Sequence, residues 1–358
     1  MTLDPGADRS ANVVGLGLIG GSVALALAQS GWRVHGTDAV DARESEAVER
    51  GIVSAVGLDP DARITFIATP ASSVPSVAAD VLASTRGLVT DVASVKGRIV
   101  TAIDDPRFVG GHPMAGSEQE GLSGSRSDMF NGAVWVLTPN PTTADDTVAD
   151  VASVVRAFGS DVLAIEASRH DEIVAVVSHV PHLTAAALMR LADARSVDHA
   201  ALLRLAAGGF RDMTRIAAGH PAIWPDICVE NQSAIVGVID ALVGELQALK
   251  LSVAQSDRNA IFESLNKARA ARTNLPSSAP PAENLAEMRI PIPDRPGAAA
   301  EVFTLAGELL VNVYDFEVAH SPEGDFGVMV MVIALDQVDL FRGGLIARGF
   351  RPGVRSLA

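Results

Sequence analysis

Lysine is nearly missing from this chain. Only Lys96, Lys250 and Lys267 occur among 358 residues, so arginine carries almost all of the positive charge. Acidic side chains outnumber basic ones 43 to 28, a formal net charge of −15. A polyanion needs a basic face to bind, so neither nucleic acid nor an anionic membrane is expected as a partner. An anionic small molecule stays compatible if a few arginines are placed locally. Cysteine is represented by Cys228 alone, which excludes an internal disulfide and suits a reducing compartment. No apolar stretch reads as a membrane span, because residues 13–28 are interrupted by glycines and a serine. Asp4 and Asp8 fall where a secretion signal would be basic, so the expected location is cytoplasmic.

What the chain does have is alternation. From residue 11 to about 165, β-type runs at 11–14, 33–37, 64–68, 87–90, 107–110 and 134–138 alternate with Ala/Val-rich helical stretches such as 22–29 and 74–83. That order predicts a mainly parallel sheet covered on both faces, a Rossmann-type α/β domain over 10–167. From 168 to 273 the strand signal disappears, and 171–193, 197–208 and 227–249 read as alanine-rich helices apolar around much of their circumference. Such helices must be buried, and a helical substrate and dimerisation domain, hence a homodimer, resolves this. Pro181 removes the bond to the Val177 carbonyl and predicts a kink. Residues 274–284 form a Pro/Ser linker. Residues 285–358 read β-α-β-β-α-β (286–292, 298–310, 312–319, 327–334, 336–348, 352–356), a ferredoxin-like small domain.

Gly15-Leu16-Gly17-Leu18-Ile19-Gly20 follows the first strand and opens the first helix. The first glycine makes the turn, the second admits a pyrophosphate to the backbone, and the third packs helix on strand. The helix N-terminus offers free N–H groups to phosphate. Asp38 ends the second strand, where its carboxylate would accept from a ribose 2′-hydroxyl and repel a 2′-phosphate. NAD is therefore the expected cofactor over NADP, with Arg43 able to soften the preference. Thr69, just past the strand at 64–68, is counted with the cofactor residues.

In Gly110-Gly111-His112-Pro113-Met114-Ala115-Gly116-Ser117-Glu118 a histidine stands between a glycine pair and a proline, which predicts a shaped loop beyond a strand end. Ligands sit beyond the carboxyl ends of strands in such sheets. Ser94, after the preceding strand in Asp91-Val92-Ala93-Ser94-Val95-Lys96, is placed near His112. Its hydroxyl could hold one imidazole nitrogen and leave the other as acceptor for general-base work. Ser178-His179-Val180-Pro181-His182 sets two histidines three apart. Metal ligation lacks a third ligand, leaving a satisfied core pair or a pocket wall. Gly208-Gly209-Phe210-Arg211-Asp212-Met213-Thr214-Arg215 carries arginines at i and i+4, either solvated or a carboxylate clamp.

Taken in order, these five segments resemble the prephenate dehydrogenase family, including its arogenate-using members, with Trp224 downstream. The resemblance covers nearly all of the chain. It implies that His112 and Ser94 are catalytic, His112 accepting the proton of the substrate C4 hydroxyl while hydride leaves for NAD⁺. It further implies that Ser178, His179, His182 and Trp224 line the pocket, that Arg215 binds a carboxylate with Arg211 nearby, and that Glu118 gates the pocket mouth. No metal is implied. The C-terminal segment resembles an ACT regulatory domain through Asp294-Arg295-Pro296-Gly297 and Asn312, which implies an amino-acid effector, tyrosine being the natural end product. Pro291 and Pro293 both lack N–H groups on the same side of its first strand. Either that strand ends at Ile290 or its ladder is broken on one side. The competing readings are an arogenate dehydrogenase, a β-hydroxyacid dehydrogenase, whose catalytic lysine has no clear counterpart here, and a non-catalytic sensor of NAD and amino acids.

Overall fold

The computed structural model describes residues 9–116, 119, 121–196, 206, 208–273, 284–293, 295–320 and 326–357. Two compact units make up the chain, Met1–Leu246 and Gln247–Ala358.

The first unit is built on eight strands: β1 (Ser10–Val14), β2 (Arg33–Thr37), β3 (Ala55–Val56), β4 (Ile64–Ile67), β5 (Leu88–Asp91), β6 (Phe108–Pro113), β7 (Val134–Thr138) and β8 (Asp161–Ala164). They form one sheet in the order β3-β2-β1-β4-β5-β6-β7-β8. All neighbours run parallel except β6 and β7. Six of these strands are those read from the sequence; β3 and β8 are additional. Successive side chains on a strand face opposite sides of a sheet. On β4, Phe66 accordingly joins a buried cluster with Val23, Leu27, Trp135 and Val155, while Ile67 joins another with Val74, Ala78, Ile99 and Ile227. The sheet is thus covered on both faces, as the strand and helix alternation predicts.

After β8 the chain turns helical: Ala167–Val174, a π-helical turn Ala175–His179, and Val180–Ser196. Where a kink is expected at Pro181, the structure has this π-helical turn immediately before it. The proline cannot donate to the carbonyl four residues back, and the turn before it widens to i→i+5 spacing. Contrary to the composition reading, the run Ala167–Arg195 has the length and mean hydropathy to cross a membrane. His170, Asp171 and His179 of this run are nevertheless buried within the unit. The helix expected over 197–208 lies almost wholly outside the described residues. Gly208–Thr214 follows, and the helix expected over 227–249 is divided into Trp224–Glu230 and Gln232–Ala254 by Asn231, whose φ of −112° and ψ of 31° leave the helical region.

The second unit contains the helix Arg258–Thr273 and a four-stranded antiparallel sheet. The strands β9 (Leu285–Pro293), β10 (Val313–His320), β11 (Phe326–Ala334) and β12 (Gly353–Ser356), with helices Ala298–Glu308 and Val338–Ala347, follow the expected β-α-β-β-α-β order. The sheet order is β10-β11-β9-β12, over a core of Met288, Ile290, Val302, Met329, Met331 and Phe341. β9 stays paired with β11 as far as Pro293, whereas its pairing with β12 stops at Arg289. The Leu285 carbonyl accepts from Leu357, so odd-numbered residues of β9 face the β12 side. Pro291 and Pro293 therefore turn their missing N–H groups to the side where β12 has already ended. Of the two alternatives left by the sequence, the ladder broken on one side is the one found.

Candidate active site

Gly15 lies between β1 and the helix Leu18–Gln29 with φ of +96°, and a Cβ there would stand 2.5 Å from the Ala68 carbonyl oxygen. A Cβ on Gly20 would fall 1.9 Å from the Gly15 oxygen, so the third glycine is needed for helix-on-strand packing. Among the described residues nothing lies within 4 Å of the corresponding position at Gly17, and no side chain caps the helix that it opens. Free N–H groups at an uncovered helix start suit a phosphate. The Asp38 carboxylate accepts from Leu16 N (2.7 Å) and Val40 N (2.9 Å) and pairs with Arg43 at 3.4 Å, so it is fixed beside this turn. Thr69 Oγ1 is buried there without a hydrogen-bond partner among the described residues. An orphaned hydroxyl and an uncovered helix start fit a dinucleotide between them.

His112 is not on a loop. It belongs to β6, opposite Val136 of β7, with Gly111 opposite Leu137. The glycine pair serves close packing, not unusual torsion, since neither residue has positive φ. A Cβ on Gly110 would lie 2.4 Å from Thr138 Oγ1, and one on Gly111 would lie 2.5 Å from the Asp91 carbonyl oxygen.

Nor is Ser94 the partner of the imidazole. His112 Nδ1 lies 2.8 Å from His170 Nε2, and His170 Nδ1 lies 2.8 Å from Asp171 Oδ1. Ser94 is half-buried in the loop after β5 and makes no hydrogen bond to His112 among the described residues. Asp171 also accepts from Lys96 N (2.8 Å) and Gly97 N (2.7 Å), which pins that loop to the helix Ala167–Val174. The Asp171 backbone carbonyl accepts from Asn231 Nδ2 at 2.8 Å, and the same Nδ2 lies 3.2 Å from His179 Nδ1. Behind the strand ends, the Lys96 ammonium pairs with the Asp91 carboxylate, which also accepts from Ala93 N and Gly111 N.

Burial, then the His170 ring, the Lys96 ammonium and the His179 ring, hold His112 well below the usual histidine range. Burial brings His179 down to about 4, against the opposing pull of Asp171. Burial also lowers Lys96, opposed by Asp91. At neutral pH both His112 and His179 are uncharged, and His112 can accept a proton without first losing one.

His182 stacks on Trp224, ring centroids 3.7 Å apart, and the Trp224 and His179 rings are near perpendicular with centroids 6.3 Å apart. Ser178 is half-buried in the π turn. Of the four residues that the sequence assigns to a pocket wall, His179, His182 and Trp224 are in ring contact, and Ser178 precedes His179 in the π turn. Arg211 lies within Gly208–Thr214 and Arg215 begins a 3₁₀ turn, and both are exposed instead of buried with the histidines. Glu118 lies outside the described residues. His170, Asp171, Asn231 and the Lys96–Asp91 pair were not singled out from sequence.

Residues 23–164 match the family described as prephenate dehydrogenase, nucleotide-binding domain, and residues 166–267 match prephenate dehydrogenase, dimerization domain. The chain is 30% identical over 335 residues to prephenate dehydrogenase of Bacillus subtilis (strain 168), covering 88% of this chain and 90% of that one. The crystal structure of A. aeolicus prephenate dehydrogenase in complex with hydroxyphenyl propionate and NAD⁺ is similar with a TM-score of 0.71 and 29% identity, covering 76% of this chain and 100% of that one. Synechocystis arogenate dehydrogenase is similar with a TM-score of 0.65 and 29% identity, covering 74% of this chain and 99% of that one.

Proposed function

This chain belongs to the prephenate dehydrogenase family, and from that premise we propose that it converts prephenate to 4-hydroxyphenylpyruvate by NAD-dependent oxidative decarboxylation, in tyrosine biosynthesis. A buried, uncharged imidazole at a strand end of a dinucleotide-type sheet carries the reading.

The turn from Gly15 to Gly20, with Leu16, Leu18 and Ile19, would hold the pyrophosphate of NAD, Asp38 the ribose and Thr69 a cofactor edge. Bound there, NAD⁺ supplies the hydride acceptor. His112 takes the proton of the ring C4 hydroxyl as hydride leaves C4. Loss of carbon dioxide from the resulting dienone makes the ring aromatic, so positioning and one base supply what the protein must add. Ser94 orients the substrate hydroxyl from the adjoining loop. Ser178, His179, His182 and Trp224 form the pocket wall, Arg215 with Arg211 engages a carboxylate arriving from solvent, and Glu118 gates the mouth.

Arogenate differs from prephenate only in an amino group replacing the side-chain keto group, and the likeness to an arogenate dehydrogenase favours it as the second reading. NADH formation measured with each substrate tests both. The faster substrate identifies the reaction, and no NADH with either would overturn the proposal.

A homodimer accords with the dimerization-domain match and with Val236, Ile239, Val243 and Leu246, which expose one apolar stripe on Gln232–Ala254. For the second unit we propose a ferredoxin-like ACT domain that binds an aromatic amino acid, tyrosine first. Supporting this are its β-α-β-β-α-β order, Gly297 at φ +90° before the helix Ala298–Glu308, and a cavity of about 230 Å³ lined by Ile292, Pro293, Arg295, Gly297 and Val318. Pro296 precedes that glycine. Asn312 is exposed and outside the lining, while Asp294 lies outside the described residues. A cytoplasmic location is proposed from the charge and the single cysteine.

A further inference from the structure

We infer that Asp171, His170 and Asn231 hold two buried histidines of this site in opposite tautomers, His112 with a bare Nε2 that accepts and His179 with an Nε2–H that donates. The inference rests on the proposed reaction for its purpose and on hydrogen-bond geometry for its content.

A neutral imidazole carries one hydrogen, and its position follows from what each nitrogen faces. A carboxylate can only accept. Asp171 Oδ1, 2.8 Å from His170 Nδ1, already accepts the Lys96 backbone N–H. In the neutral form of His170 the hydrogen therefore sits on Nδ1, and its Nε2 is a lone pair. His112 Nδ1, 2.8 Å from that lone pair, must donate. The remaining nitrogen of His112, Nε2, is left bare, as proton abstraction requires.

The second assignment is independent of the first. The Asp171 backbone carbonyl can only accept, so the Asn231 side-chain atom 2.8 Å away is the amide nitrogen, not its oxygen. That nitrogen has a second hydrogen, and His179 Nδ1 stands 3.2 Å from it. His179 Nδ1 is therefore the acceptor, and its hydrogen is on Nε2. Asp171 thus sets both rings, one through its carboxylate and one through its carbonyl. His170 and Asn231 are positioning residues: neither needs to touch substrate. His179, uncharged and carrying an N–H, suits a substrate oxygen, while His112 suits a hydroxyl proton.

The test is long-range ¹H–¹⁵N NMR of the histidine rings in the ¹⁵N-labelled full-length protein near neutral pH, without substrate. The expected spectrum has His112 protonated on Nδ1 and His179 on Nε2. His170→Gln keeps an acceptor, the side-chain amide oxygen, and is expected to preserve the His112 tautomer and kcat within a few-fold. His170→Phe removes the acceptor. It is expected to release the tautomer and lower kcat by about 10²- to 10⁴-fold, the range of a positioned base, with the KM for NAD within about two-fold. A wild-type spectrum with hydrogen on His112 Nε2, or His170→Phe with unchanged kcat, overturns the inference. Should His170→Phe fail to fold, the wild-type and His170→Gln spectra decide. The expected spectrum in a protein that reduces no NAD⁺ with either substrate would uphold the tautomers and reject the reaction.

Discussion

The Lys96 ammonium and the Asp91 carboxylate form an ion pair in which neither side chain is exposed to solvent. Removing one partner of such a pair strands a charge in the interior, at a cost of about 3–5 kcal/mol. Lys96→Met is expected to destabilise by that amount. Lys96→Met combined with Asp91→Asn should cost less, because asparagine carries no charge and can still accept from Gly111 N. Urea midpoints compare the two; a single variant no worse than the double would show that the charge is not the issue.

His112→Asn removes the proposed proton acceptor and leaves the glycine turn untouched. We expect kcat to fall by about 10²- to 10⁴-fold. NAD affinity, read by fluorescence titration, should hold within about two-fold. Retained turnover would remove His112 from its role.

Acid sensitivity follows from the buried neutral rings. An unfolded histidine binds its proton near pH 6.5, whereas folded His179 does so only near about 4. Between these values the unfolded chain holds more protons, so stability rises with pH there and is lost as pH falls from about 6.5 to about 4. His112, also depressed, adds to the same slope. The melting temperature should fall over this window, and His179→Gln should make the fall shallower. An identical slope in the variant would place the proton uptake elsewhere.

Asp38 accepts the Leu16 N–H, and the proposed function gives it the ribose as well. Asp38→Ala should raise the KM for NAD and narrow the NAD/NADP ratio of kcat/KM by at least about ten-fold. Asp38→Asn, which keeps an acceptor for Leu16, should disturb NAD binding less. An unaltered ratio in both variants would detach Asp38 from cofactor choice.

Arg215→Ala tests the carboxylate clamp. The KM for prephenate should rise by about ten-fold or more, the loss of a charge-assisted bond, with kcat changing less. An unchanged KM would reduce Arg215 to a surface residue.

Much of this was legible because it depends on local rules. The glycine turn, six of the eight strands of the first sheet and the β-α-β-β-α-β order follow from spacing of apolar and turn residues. β3, with two residues, is too short to show a period, and β8 exposes most of its side chains. The partner of His112 lies 58 residues away on another element, and no local pattern joins them. A signal was available in the helix that begins at Ala167. His170 and Asp171 share its buried side with Ala167 and Val174, and a polar pair on a buried stripe needs a partner. Asn231 was hidden inside an apolar pattern that reads as one uninterrupted helix, so the break that frees its amide could not be placed. Gly110 and Gly111 suggested a loop because glycine is read as a turn former, whereas here the missing side chains make room inside a sheet.

Asp171 sits on the helical side of residue 166 and binds the backbone of Lys96 and Gly97 on the nucleotide-fold side. The inferred His112 tautomer is consequently set across a seam. Residues up to about 165, produced alone, would retain the glycine turn and His112 but would have nothing to dictate where the imidazole hydrogen resides. In the proposed reaction the base therefore depends on both segments being present and docked.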